Sequence, residues 1–121
     1  MAMPESKERR KQLVREYKER KKQIGVYAIR NKVTGRIFLD RALNLDVAYN
    51  KHKFQLQIGS HRNKEMQKDW NRYGEDNFSY EVIERLEDDS DDPMQVDRDL
   101  TELKELCREK LAGTPEVKGF Y

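Results

Sequence analysis

The sequence predicts an α+β sandwich: a small three-stranded mixed sheet flanked by helices, with an extra charged helix at the N-terminus. Three observations predict it. Residues 25–31 and 36–40 alternate in hydropathy on either side of a short connection ending in Gly35, as the arms of a hairpin do. Residues 78–86, FSYEVIERL, alternate in the same way and supply a third strand. The apolar residues elsewhere recur at helical spacing, giving the order helix, strand, strand, helix, helix, strand, helix. A sheet with helices on its flanks is the smallest layout that buries these stripes.

Residues 5–23 read as the first helix. Ser6 is placed to cap it, and Glu8, Lys21 and Lys22 suit the helix dipole. Leu13, Val14 and Tyr17 form a stripe wide enough to dock on a core but too narrow to make one. In the hairpin, Val26 and Ala28 alternate with Tyr27 and Ile29, and Ile37 and Leu39 alternate with Arg36 and Phe38. Gly35 can take the positive φ that a tight connection needs.

Residues 44–57 form the next helix, with Asn44 as cap, Asp46 in the first turn and Gly59 past the end. Leu45, Ala48, Tyr49 and His52 share a face, joined further on by Leu56. Residues 63–73 follow as a helix ended by Gly74, where Met66, Trp70 and Tyr73 form one core-facing stripe. His61 reads as a loop or helix-start residue. Residues 87–93, EDDSDDP, read as an acidic loop without the glycine and terminal glutamate of a calcium loop. The last helix runs from 97 to 112, facing the core with Leu100, Leu103, Leu106 or Cys107, and Leu111; residues 113–121 read as a tail.

The totals bound the function. The chain has 121 residues, so one domain is expected: a charged helical extension at 1–23 and a folded unit at 24–121. Charged residues make up 40%, well above the usual quarter, which points to a modest core with solvated helix faces. Residues 1–24 carry nine Lys/Arg against four Asp/Glu, whereas residues 87–121 carry five against eleven. A basic front with an acidic rear fits a polyanion binder, and equally fits solvated helices. Cys107 is the single cysteine, so no disulfide forms within the chain, and a reducing compartment is expected. No apolar run is long enough to span a membrane and no signal-peptide core is present, so the expectation is a cytoplasmic protein. His52, His61 and Cys107 lack zinc-ligand spacing, and no phosphate-binding glycine loop occurs.

The segments in this order resemble the GIY-YIG nuclease superfamily. Gly25-Val26-Tyr27 stands where that family has GIY, and Phe38-Leu39-Asp40 where it has YIG. Asn31 and Gly35 match the hairpin connection, and Asn44-Leu45 the opening of the first domain helix. Leu56, Gly59, His61, Asn63 and residues 67–84, QKDWNRYGEDNFSYEVIE, are similar to a block common in phage and homing-type members, and it is the most specific part of the match. Gly119-Phe120-Tyr121 resembles the closing G-Y-N.

The resemblance implies a phosphodiesterase that cuts DNA with a divalent cation, Mg or Mn. In that reading Tyr27 and His52 are catalytic, and Glu105 or Glu102 on the last helix holds the metal, unless Lys104 takes that slot. The chain also departs from the pattern. Phe38 replaces the second tyrosine, Asp40 the second glycine, Ala48 the arginine expected on the helix, and Tyr121 the final asparagine. A phenyl ring moves no proton, and losing one proton-transfer group costs roughly 10²–10⁴ in rate. The nuclease reading is therefore one of activity weakened or lost. The alternative is a catalytically inactive nucleic-acid-binding or protein-interaction module on the same fold. The basic helix, with Arg41, Lys51, Lys53, Arg62, Lys64 and Lys68, would contact phosphates, and DNA is the expected partner. A protein partner would meet the acidic loop, and the chain is expected as a monomer or weak homo-oligomer.

Overall fold

The computed structural model describes residues 11, 23–87 and 91–121. The helix expected over 5–23 lies outside these residues, apart from a helical Lys11. Within them, β1 (Gly25–Asn31) and β2 (Arg36–Ala42) are followed by α1 (Leu45–Gln57) and α2 (Lys64–Tyr73). A 3₁₀ turn (Glu75–Asn77) leads into β3 (Phe78–Arg85), then α3 (Pro93–Ala112) and β4 (Gly119–Phe120).

The sheet has four strands in the order β3-β1-β2-β4, not three. The fourth comes from the segment read as a tail. Gly119 and Phe120 pair in parallel with Arg36 and Ile37, and Tyr121 N–H donates to Ile37 O at 2.8 Å. Two residues carry too little alternation to announce a strand, so only the β2 edge could reveal it. The other pairings are antiparallel, making the sheet mixed.

The hairpin closes as its residue types require. Asn31 Oδ1 accepts from Val33 N–H at 2.9 Å and Thr34 N–H at 3.3 Å, an Asx turn. Gly35 has φ of 77°, and a Cβ there would lie 2.6 Å from Lys118 Cγ. At the other end of β1, a Cβ on Gly25 would lie 2.2 Å from Glu84 O. The close approach sits beside a bulge: Tyr27 pairs with Val82 and Val26 with Glu84, so Ile83 is the extra residue. Val82, opposite Tyr27 on an edge strand of the sheet, lies at the surface.

Alternation along β1 divides the core. Tyr27 and Ile29 join Phe38, Leu45, Leu56, Met66, Trp70 and Phe78 under α1 and α2. Val26 and Ala28 face the other way, where α3 packs across the strands with Leu100 and Cys107 buried. Of the two residues open for that turn of the last helix, Cys107 is inside and Leu106 outside. Burial raises the Cys107 thiol pKa, which fits packing rather than reactivity.

Helix α3 begins four residues earlier than periodicity predicts. Asp92 caps it by accepting from Met94 N–H, and Pro93 takes the first helical position, where its missing N–H costs nothing. The acidic run therefore ends as a helix start. Asn44 and Asn63 cap α1 and α2 in the same way. Among the described residues no helix is long and apolar enough to cross a membrane.

Candidate nucleic-acid interface

Two polar features lie side by side at the β2 edge. The first is buried. Tyr27 on β1 points under α1, where its hydroxyl lies 2.5 Å from Nε2 of His52. His52 Nδ1 lies 2.8 Å from Nε2 of His61, in the loop between α1 and α2. The chain ends on a backbone group: Asn63 N–H donates to His61 Nδ1 at 3.0 Å. That end fixes the protons. A nitrogen that accepts from an amide carries no hydrogen, so neutral His61 holds its proton on Nε2 and donates to His52 Nδ1. Neutral His52 then holds its proton on Nε2 and donates to the Tyr27 oxygen.

The chain is enclosed. Tyr27 is 2% exposed, His52 6% and His61 0%. Burial, then the neighbouring His61 and Arg62, lowers the His52 pKa to about 4, and burial followed by Arg62 lowers that of His61. Burial, then the charge of Asp40, raises the pKa of Tyr27 above its ordinary range. Gln67 braces the loop: its Oε1 accepts from His61 N–H, and its Nε2 donates to Leu56 O and to Asn71. Phe38 lies edge-on to both imidazoles, at 5.1 Å and 5.7 Å between ring centres.

The second feature is an open cleft of about 750 Å³, lined by Phe38, Leu39, Asp40, Arg41, Arg62, Asn63, Lys104, Arg108, Phe120 and Tyr121. It exists because β4 pairs only with Arg36 and Ile37, leaving the edge of β2 beyond them without a strand partner among the described residues. The start of α2 forms one wall and α3 the other. Phe38 borders both features.

Four cations line the cleft, and one carboxylate sits among them. Asp40 Oδ2 accepts from Arg62 Nη2 at 2.8 Å, and its Oδ1 accepts from Arg41 N–H at 2.8 Å. Lys104 Nζ lies 3.5 Å from the same Oδ1. The Arg41 guanidinium reaches Asp97 at the start of α3, and Arg108 lies 5.1 Å over the Phe120 ring. Tyr121 closes the end: its hydroxyl donates to Asp69 at 2.6 Å, accepts from Asn31 Nδ2, and carries Arg36 over its ring.

The residues singled out from sequence separate accordingly. Tyr27 and His52 meet, and Arg41 and Arg62 line the cleft. Lys51 is exposed on α1, close enough for its charge to oppose protonation of His52. Lys53 pairs with Glu75 at 2.7 Å, while Lys64 and Lys68 are exposed on α2. None of these four lysines lines the cleft. Glu102 borders a different depression with Pro93 and Met94, and Glu105 is exposed outside both. Helix α3 presents Lys104 and Arg108 to the cleft instead, one turn apart.

The donor set therefore does not fit a divalent cation. The cleft offers one carboxylate, already held by two cationic side chains, and no group of three His, Cys, Asp or Glu able to hold a metal occurs among the described residues. Sequence reasoning missed His61, whose two-residue spacing to the helix cap Asn63 was the available signal. It also missed Arg108, whose i,i+4 spacing to Lys104 puts both on one helix face.

Strand order, hairpin, the two helices over one face and the long helix over the other define a GIY-YIG-like fold. The catalytic domain of the homing endonuclease I-TevI has this architecture. It superposes with a TM-score of 0.60 at 18% identity, over 79% of this chain and 96% of that domain. A point mutant of that catalytic domain, described as an intron endonuclease, gives 0.53 at 23% identity, over 69% and 82%. No family model and no curated protein sequence matches the chain.

Proposed function

We propose that this nuclease-fold domain binds DNA by its phosphodiester backbone in the β2-edge cleft, with metal-dependent hydrolysis weakened or lost. One observation carries the reading: Arg62, Lys104 and Arg108 converge on a cleft whose only carboxylate among the lining residues is Asp40, with Arg41 beside them and its guanidinium held by Asp97. Guanidinium forks and an ammonium are the groups that grip phosphate oxygens, and a cleft open to solvent admits a nucleic-acid backbone. The loss of the second tyrosine to Phe38 and the absence of a metal donor set among the described residues support the loss of cleavage.

The test is fluorescence anisotropy with a labelled DNA duplex. Neutralising three to four phosphates gives a slope of log K against log salt of about −3. Binding is expected in EDTA, with no requirement for added magnesium. A flat salt response, or no binding at low salt, overturns the reading.

A second reading, residual hydrolysis, is favoured by the intact Tyr27–His52–His61 chain. A His52 N–H aimed at the Tyr27 oxygen would steady a tyrosinate, the form able to take a proton from water. Plasmid cleavage in magnesium or manganese that Tyr27→Phe abolishes would establish it.

A further inference from the structure

The Asp40 carboxylate is surrounded by donors from three parts of the chain. Both its oxygens are taken by donors suited to an anion: the Arg62 guanidinium, the Arg41 backbone N–H and the Lys104 ammonium. These donors come from three separate elements: the loop before α2, β2 and α3. Such convergence is the geometry of an anion subsite, and the anion filling it belongs to the chain. The side chain is one-fifth exposed, so solvent and a ligand reach it.

We propose that Arg62, Lys104 and the Arg41 N–H form a metal-free phosphodiester subsite, and that Asp40 is a tethered competitor that weakens nucleic-acid binding there. The inference rests on the DNA-binding reading above and adds the position and its built-in inhibitor. Arg62 and Lys104 supply the positive charge in this subsite. A ligand phosphate must displace the Asp40 carboxylate or lie against it, and like charges in close contact oppose binding strongly. Removing the carboxylate frees three donors at once.

The experiment measures binding of a fluorescein-labelled 12-base-pair DNA duplex by anisotropy, in EDTA, at two salt concentrations. Asp40→Asn and Asp40→Gly are compared with Glu109→Gln, which removes one negative charge from an exposed position on α3 outside the cleft. Asn keeps the shape and an acceptor, so it guards against loss of folding by Gly; Trp70 emission reports the fold of each variant. The expected result is roughly tenfold tighter binding for both Asp40 variants, with a steeper salt slope. Glu109→Gln should change affinity less than about twofold. Adding Arg62→Ala or Lys104→Ala to Asp40→Asn should remove the gain.

Equal tightening by Asp40→Asn and Glu109→Gln would reduce the effect to net charge and overturn the proposal. So would wild-type binding that Asp40→Asn leaves unchanged, although the DNA-binding reading would then stand. If neither the wild type nor the Asp40 variants bind at low salt, both fall together.

Discussion

The Tyr27 hydroxyl lies 2.5 Å from Nε2 of His52, at the inner end of a hydrogen-bond chain whose outer end is the Asn63 backbone N–H. Because the amide can only donate, every proton in the chain is oriented toward Tyr27. The tyrosine oxygen therefore acts as the terminal acceptor for a buried N–H.

Replacing Tyr27 with Phe keeps the ring and strands that N–H. An unsatisfied buried donor costs about 1–3 kcal/mol, so Tyr27→Phe should lower unfolding free energy by that amount in a urea titration. A loss under a few tenths would show that another acceptor reaches His52.

The same chain makes the domain sensitive to acid. The His52 pKa is about 4 when folded against an ordinary 6.5. Above pH 6.5 neither state binds the proton. Between 6.5 and 4 the unfolded chain binds it and the folded chain does not, so stability falls as pH falls, by up to about 1.4 kcal/mol per unit. Below 4 the folded state titrates as well, and this loss stops growing. The lowered pKa of His61 acts in the same direction. Urea midpoints at pH 7.5, 6 and 5 should show the decline, and His52→Gln should make it shallower.

Gly25→Ala should be severe although alanine is small. Its Cβ would meet the Glu84 carbonyl at 2.2 Å, and both atoms belong to paired backbones that cannot yield without opening the bulge. The expected cost is about 3 kcal/mol or more, read as a drop in melting temperature. An unchanged melt would mean the β1–β3 contact is looser than described.

Trp70 is the single tryptophan, 6% exposed and packed on Phe78. Its emission should be blue-shifted in the folded chain and move red in one step on denaturation. Trp70→Ala should cost about 3–5 kcal/mol.

Among the cations, position in the cleft should outrank exposure. Arg62→Ala should weaken DNA binding several-fold more than Lys53→Ala, because Lys53 is engaged with Glu75 away from the cleft. Equal losses for the two would indicate a diffuse surface in place of a cleft.

The sequence by itself determined the local elements: the turn at Gly35 and the pairing of the two strands around it, the caps Asn44 and Asn63, and the Met66–Trp70–Tyr73 stripe. These are set by contacts within a few residues of each other, so periodicity and cap chemistry suffice to read them. Tertiary structure alone decided what distant residues do together. Gly119 and Phe120 became a strand only because β2 offered an open edge. His61 became part of the buried chain only because the loop before α2 folds over His52. Lys104, rather than Glu102 or Glu105, faces Asp40 because a helix rotates each successive side chain by 100°. The angle at which α3 docks then selects which of them meets the cleft.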